Sequence, residues 1–151
     1  MKTLAATVAG ACALLLSSSL ASAMTEADCV VAFKSADANA DGVLSETEGP
    51  RYFAAMRVAQ KPMTGASMTQ AAFIENCKAD VFTASAKDPG APLSGANSFT
   101  EAQAKDRAIA AGLSNVSALT KDDKGVWRGT ATDGTKSKNV AIDYKGNVVT
   151  N

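Results

Sequence analysis

With 151 residues, 46% of them hydrophobic but only 5% aromatic, the chain has material for one modest core or two very small ones. Fifteen Lys and Arg balance fifteen Asp and Glu, so no basic surface is available to draw nucleic acid. Histidine is absent, which removes the commonest general base and the usual imidazole ligand for zinc.

Residues 1–23 read as an export signal of bacterial type. Lys2 supplies the positive start, Leu4 to Leu16 form an apolar stretch, and Ala21-Ser22-Ala23 ends the segment in the small-x-small pattern that signal peptidase accepts. The stretch is short for a membrane span of ~20 residues, and serines follow it. Apolar residues continue past Cys12, which argues against a lipidated cysteine. Cleavage after Ala23 leaves a periplasmic or secreted chain that begins at Met24 and has no membrane span. Two cysteines remain, Cys29 and Cys77, and an exported protein with two cysteines usually oxidises them.

The stretch DANADGVLSETE, residues 37–48, is the richest in side-chain oxygen. Counting Asp37 as position 1, Asp37, Asn39 and Asp41 fall at 1, 3 and 5, Gly42 at 6, Val43 at 7, Ser45 at 9 and Glu48 at 12. Alternate side chains then point inward, glycine permits the sharp turn, and a two-oxygen ligand closes the ring. Expected ligands are Asp37, Asn39, Asp41, the Val43 carbonyl, Ser45 directly or through water, and Glu48 with both oxygens. Such a set of oxygens suits calcium rather than the smaller, strictly octahedral magnesium. EADCVVAFKSA before the loop puts Cys29 and Phe33 on one helical face, and RYFAAMRVA after it puts Tyr52, Phe53 and Met56 at helical spacing. Ser45 and Glu48 have the spacing of a capping box for the exit helix. The segment from about residue 25 to 60 resembles the EF-hand family in loop and flanks, which implies a calcium-binding helix-loop-helix within a unit of residues 24–66. Gly49 and Pro50 depart from a regular exit helix: a proline there removes a backbone bond, so the helix kinks or starts anew near Arg51.

A lone EF-hand exposes half its apolar face, so a partner is expected in residues 67–98. MTQAAFIENCKADVF, residues 68–82, reads as a helix with Phe73, Cys77 and Val81 on one stripe, and a Gly/Pro/Ser-rich surface linker follows. FTEAQ then imitates LSETE, with Phe99 in the place of Leu44, Thr100 in that of Ser45, and Gln103 in that of Glu48. Two readings stay open: a degenerate partner that packs without binding calcium, or simply a capping box that starts another helix. Cys29 on the Phe33 face and Cys77 on the Phe73 face both point inward, so a Cys29–Cys77 disulfide is expected, two buried free thiols being the alternative.

Residues 99–151 change period. TEAQAKDRAIAAGL is helical with Gly112 as its stop. NVSALTK, GVWRGTAT, KNVAIDY and NVVT are short alternating runs, separated by the hairpin signals DDKG, DGTK and KGN. Val140, Ile142 and Tyr144 are expected on one strand face, and Trp127 is expected to pack the helix on the sheet. One helix followed by an antiparallel β-meander makes the chain α+β. FTEAQAKDRAIAAG, GVWRGTA and VAIDYKGNVV resemble a PepSY-type domain. That resemblance implies a small exported module, linked in some members to restraint of peptidases, and carries over no site residues.

No nucleophile elbow, phosphate loop or zinc-ligand cluster is present, and Asp122-Asp123 reads as part of a turn, so an enzyme is not expected. The favoured function is an exported calcium-binding protein in which the ion acts structurally or as a sensor. The alternative is a PepSY-like module that inhibits a peptidase or docks an envelope protein, with calcium only stabilising the fold.

Overall fold

The computed structural model describes residues 24–63, 65–83 and 90–151. The expected export signal, residues 1–23, lies outside the described residues, as does part of the expected linker. The chain is α+β: the described residues form four helices and two antiparallel sheets, the larger sheet following the helices. Among the described residues no helix is long and apolar enough to cross a membrane.

Helix α1 (Glu26–Ala36) starts at a reciprocal cap in which the Asp28 N–H donates to the Thr25 hydroxyl and the Thr25 N–H to the Asp28 carboxylate. Glu26 and Asp28 in its first turn and Lys34 in its last suit the helix dipole. Helix α2 (Pro50–Val58) begins at the proline, with Gly49 as N-cap. Pro50 therefore starts the exit helix instead of kinking it, because the first helical residue has no backbone partner to lose. Helix α3 (Gln70–Lys78) is capped by the Thr69 hydroxyl, which accepts from the Ala72 N–H, and a 3₁₀ turn (Val81–Thr83) follows. Helix α3 thus ends before Val81, although Val81 stays buried.

Between α1 and α2 runs β1 (Val43–Ser45), paired antiparallel with β2 (Ser67–Thr69) in the register Val43 to Thr69, Leu44 to Met68 and Ser45 to Ser67. Across this ladder Met68 joins the core of Leu44, and the strand paired with β1 is Ser67–Thr69, not the Phe99-Thr100 segment. The two loops flank one short helix, so α2 leaves the first and enters the second.

The helical core gathers Phe33, Leu44, Phe53, Met56, Met68, Phe73 and Phe82. Phe73 lies at its centre, edge-on to Phe33 and Tyr52, the arrangement that aromatic quadrupoles favour. The expected disulfide is present: Cys29 and Cys77 are joined with Cα atoms 5.9 Å apart, across 48 positions of sequence. Closing a loop of that size removes roughly 4 kcal/mol of chain entropy from the unfolded state.

Helix α4 (Glu101–Ala110) opens on a capping box between Thr100 and Gln103, so FTEAQ is a helix start. The meander of β3 (Thr120–Lys121), β4 (Trp127–Asp133), β5 (Lys136–Ile142) and β6 (Val148–Thr150) follows in sequence order. Gly134, with φ +59°, takes the first place of the two-residue β4–β5 turn, a position that disfavours side chains. Ala104 and Ala108 of α4 meet Ala131, Val140, Ile142 and Val148 of the sheet, while Ile109 and Ala110 join the helical core. Trp127 packs in the sheet-side core as expected, and its indole N–H donates to the Phe99 carbonyl just before α4. Tyr144 does not share the strand face of Val140 and Ile142: β5 ends at Ile142, and the half-exposed tyrosine ring lies against Gly95.

Asp143 is fully buried. Its carboxylate accepts from the N–H groups of Leu93, Lys145 and Asn147 and from the Asn147 amide. The latter part of the expected linker is thereby tied down, and Gly95 also donates its N–H to the Lys124 carbonyl. Burial raises the Asp143 pKa, but the Asn147 amide and the three N–H groups outweigh it and leave it below the ordinary aspartate value of 3.8. A carboxyl that titrates lower when folded stabilises fully above its unfolded pKa and loses that contribution as pH falls through the folded one. Asp143→Ala is expected to cost roughly 3 kcal/mol in urea denaturation at pH 7, because it orphans several buried donors, and the gap to wild type should narrow below pH ~4. A loss under 1 kcal/mol would contradict this role.

Candidate metal centre

The residues at loop positions 1 to 12 follow directly from α1. Asp37 caps that helix, its N–H donating to the Phe33 carbonyl. Its Oδ2 accepts from the Gly42 N–H at 3.0 Å, a bond that bends the chain back over six residues. Ala40 and Gly42 both take left-handed backbone, at φ +57° and +81°, and the second of these explains the glycine. Asn39 Oδ1 accepts from the Asp41 N–H, Asp41 Oδ1 accepts from the Val43 N–H, and the Asn39 amide donates to Asp41 Oδ2. The chain then enters β1, which buries Leu44 completely.

Glu48 closes the loop from the other end. Its Oε1 accepts from the Asn39 N–H at 3.3 Å and its Oε2 from the Ser45 N–H at 3.0 Å and from the Ser45 hydroxyl. The Glu48 N–H in turn donates to Ser45 Oγ. The expected Ser45–Glu48 capping box therefore exists, but it closes the turn before α2, because Gly49 intervenes as N-cap. The Ser45 hydroxyl first, then the Ser45 N–H, holds the Glu48 pKa below the ordinary glutamate value of 4.5, with desolvation opposing and the Asn39 and Ala38 N–H groups adding to the depression. Glu48 is thus kept as an anion.

Hydrogen bonds link positions 3 with 5, 3 with 12 and 9 with 12, and position 1 is tied through Gly42. Among the described residues, however, no three Cys, Asp or Glu side chains gather as a metal-holding group. Much of the expected ligand set is of other types: Asn39, Ser45 and the Val43 carbonyl. One atom marks the loop. Asp37 is 9% exposed, and its Oδ1 is buried and accepts no hydrogen bond. A buried carboxylate oxygen without a donor is costly, and a cation is the partner that an acceptor-only atom takes. By donor chemistry and by this atom, the loop fits a hard divalent cation.

Contacts outside the twelve residues complete the site. Arg57 of α2 donates to Glu46 of the loop and to Asp106 of α4, which raises the Arg57 pKa, chiefly through Asp106. Gly49 is held by packing: a Cβ there would lie 2.6 Å from Leu44 Cδ2. Sequence reasoning missed Met68-Thr69 as the pairing segment. A signal for it exists, since Leu44-Ser45 and Met68-Thr69 each put a core residue before a hydroxyl that caps the next turn.

No protein family, curated protein or solved structure matches the chain.

Gly49→Ala is expected to destabilise the chain by about 2 kcal/mol, through displacement of Leu44, and to shift the β1–β2 amide resonances in a ¹H–¹⁵N spectrum. A wild-type melting curve with unmoved resonances would show that the contact relaxes without cost.

Proposed function

We propose that residues 37–48 bind calcium in an exported protein, and that the ion's role is to stabilise the helical half. The single observation that carries this reading is the buried, unpartnered Oδ1 of Asp37 at the head of a twelve-residue oxygen-rich loop. Asp37, Asn39, Asp41, Ser45 and Glu48 would hold the ion with side-chain oxygens, and Val43 with its carbonyl. The bound ion supplies positive charge that offsets the three carboxylates at ligand positions, Asp37, Asp41 and Glu48. The chain's own residues do the positioning: Gly42 orients Asp37, Ser45 holds Glu48 ionised, and β2 holds β1 in place. The resemblance of the loop and its flanks to the EF-hand family points the same way, and the buried disulfide suits an oxidising periplasmic or extracellular setting.

The affinity belongs to the range of extracellular modules, on the order of 10⁻⁴ to 10⁻³ M, for two reasons. Position 3 is the neutral Asn39, and bonds such as that from the Asn39 amide to Asp41 must yield to the ion. At 1 mM calcium and the tighter end of that range, mass action stabilises the fold by about 1.4 kcal/mol. The helix-then-meander order of residues 99–151 supports the PepSY-like reading of that half as a module for docking a peptidase or an envelope protein.

Calorimetric titration with calcium chloride should give saturable heat for the wild type and none for Asp37→Ala or Glu48→Gln. The wild-type melting temperature should rise by about 4 °C between chelator and 1 mM calcium, and neither variant should respond. Equal heats in all three proteins would refute the assignment.

A further inference from the structure

The disulfide and the proposed ion site belong to one closed mechanical circuit. Cys29 lies on α1 eight residues, just over two helical turns, before Asp37, which ends that helix and opens the loop. Cys77 lies near the end of α3, whose N-cap, Thr69, is also the last residue of β2. Strand β2 is paired residue for residue with Val43–Ser45, which carries two of the expected ligands. From Cys29 the circuit runs along α1 to Asp37, through the loop to β1, across the ladder to β2, along α3 to Cys77, and back through the S–S bond. Every link except the loop is a helix, a hydrogen-bonded ladder or a covalent bond. The position of Asp37 relative to Val43 and Ser45 is therefore constrained from outside the loop, by the bond that clamps α1 to α3, as well as by the Gly42 N–H within it.

We propose that the Cys29–Cys77 disulfide is a redox gate on the ion site: the oxidised chain presents Asp37 in register with Val43, Ser45 and Glu48, and the dithiol chain binds calcium about tenfold more weakly. The inference rests on the calcium reading above. In the oxidised chain the ordering of α1 against α3 precedes binding, whereas in the dithiol chain the ion must supply part of it, which lowers its apparent affinity. The Phe33–Phe73 contact still joins the two helices after reduction, so the effect is a weakening and not a loss. Reduction itself is balanced by a dithiol reductant. The S–S bond takes up two electrons and two protons and leaves as the Cys29 and Cys77 thiols, and the reductant closes to its own disulfide. Both sulfurs belong to buried residues, Cys29 at 0% and Cys77 at 2% exposure, so the attacking thiolate reaches them only when α1 parts from α3. Coupling of this kind is reciprocal: calcium must protect the disulfide by the factor by which the disulfide favours calcium. A tenfold factor corresponds to about 30 mV in the two-electron couple.

The test uses the full exported chain, residues 24–151. Calcium is titrated calorimetrically into the oxidised form, the dithiol-reduced form and Cys29→Ala/Cys77→Ala. The disulfide midpoint of the wild type and of Asp37→Ala is read in dithiol redox buffers with saturating calcium or with chelator. The expected result is a Kd about tenfold higher for the reduced form and the double variant. The wild-type midpoint should fall by about 30 mV with calcium, and the Asp37→Ala midpoint should not move. The midpoint is read on the wild-type chain, so it decides the matter even where the cysteine-free variant fails to fold. A midpoint indifferent to calcium, or equal affinity in the oxidised and reduced folded chains, overturns the gate while leaving calcium binding in place. Absence of calcium heat in the oxidised chain overturns the calcium reading and the gate together.

Discussion

Three residue pairs hold the helical half together: Val43 with Thr69, Leu44 with Met68, and Ser45 with Ser67. A ladder so short has little stability in water on its own. Its central pair turns both side chains into the core, with Leu44 at 0% and Met68 at 5% exposure, and that burial keeps the two loops in register. The helices on either side need it, for α1 has 11 residues and α2 and α3 have 9 each, lengths at which an isolated helix is marginal. The disulfide supplies the second constraint, joining the outer helices behind the ladder. Loop, ladder and disulfide therefore act on the same few residues, which is why a bond formed by Cys29 bears on the position of Asp37.

The two halves meet through small side chains. Ala54 and Ala55 of α2 and Ala110 of α4 are buried in one core, and residues without bulk let helix axes come close. Helix α4 thereby serves two cores, the sheet on one side and the aromatic cluster on the other. The scarcity of aromatics is met by concentration: Phe33, Tyr52, Phe73 and Phe82 form one connected cluster. Arg57 crosses from the loop residue Glu46 to Asp106 of α4, so charge as well as packing relates the candidate metal centre to the C-terminal half.

Much of this was legible residue by residue. The α+β order, the four meander strands, the Thr100 cap of α4, the inward faces of Cys29 and Cys77 and the place of Trp127 all follow from local patterns of two to four residues. The loop spacing was legible for the same reason, since turn glycine and alternate oxygens are properties of a continuous dodecapeptide. What stayed open, or differed, was of another kind. Phe99-Thr100 imitates Leu44-Ser45 as well as Met68-Thr69 does, and only packing decides between them. Tyr144 obeys the two-residue period of β5, yet the strand stops at Ile142 because Asp143 turns its carboxylate inward to cap the following turn. Residues 90–97 have the composition of a free linker, but Asp143 and the Gly95–Gly125 backbone contact hold them down.

The sequence by itself determined where turns, caps and helix starts fall, because each depends on groups within four positions of one another along the chain. It also determined the donor chemistry of residues 37–48, because oxygen type and spacing are written in the residues themselves. Only the tertiary structure decided that Leu44 meets Met68, that α4 is shared by two cores, and that Asp37 keeps one oxygen buried and unpartnered. Those outcomes depend on which apolar surfaces exclude water together. That choice is made among segments tens of residues apart, where similar local patterns compete on equal terms.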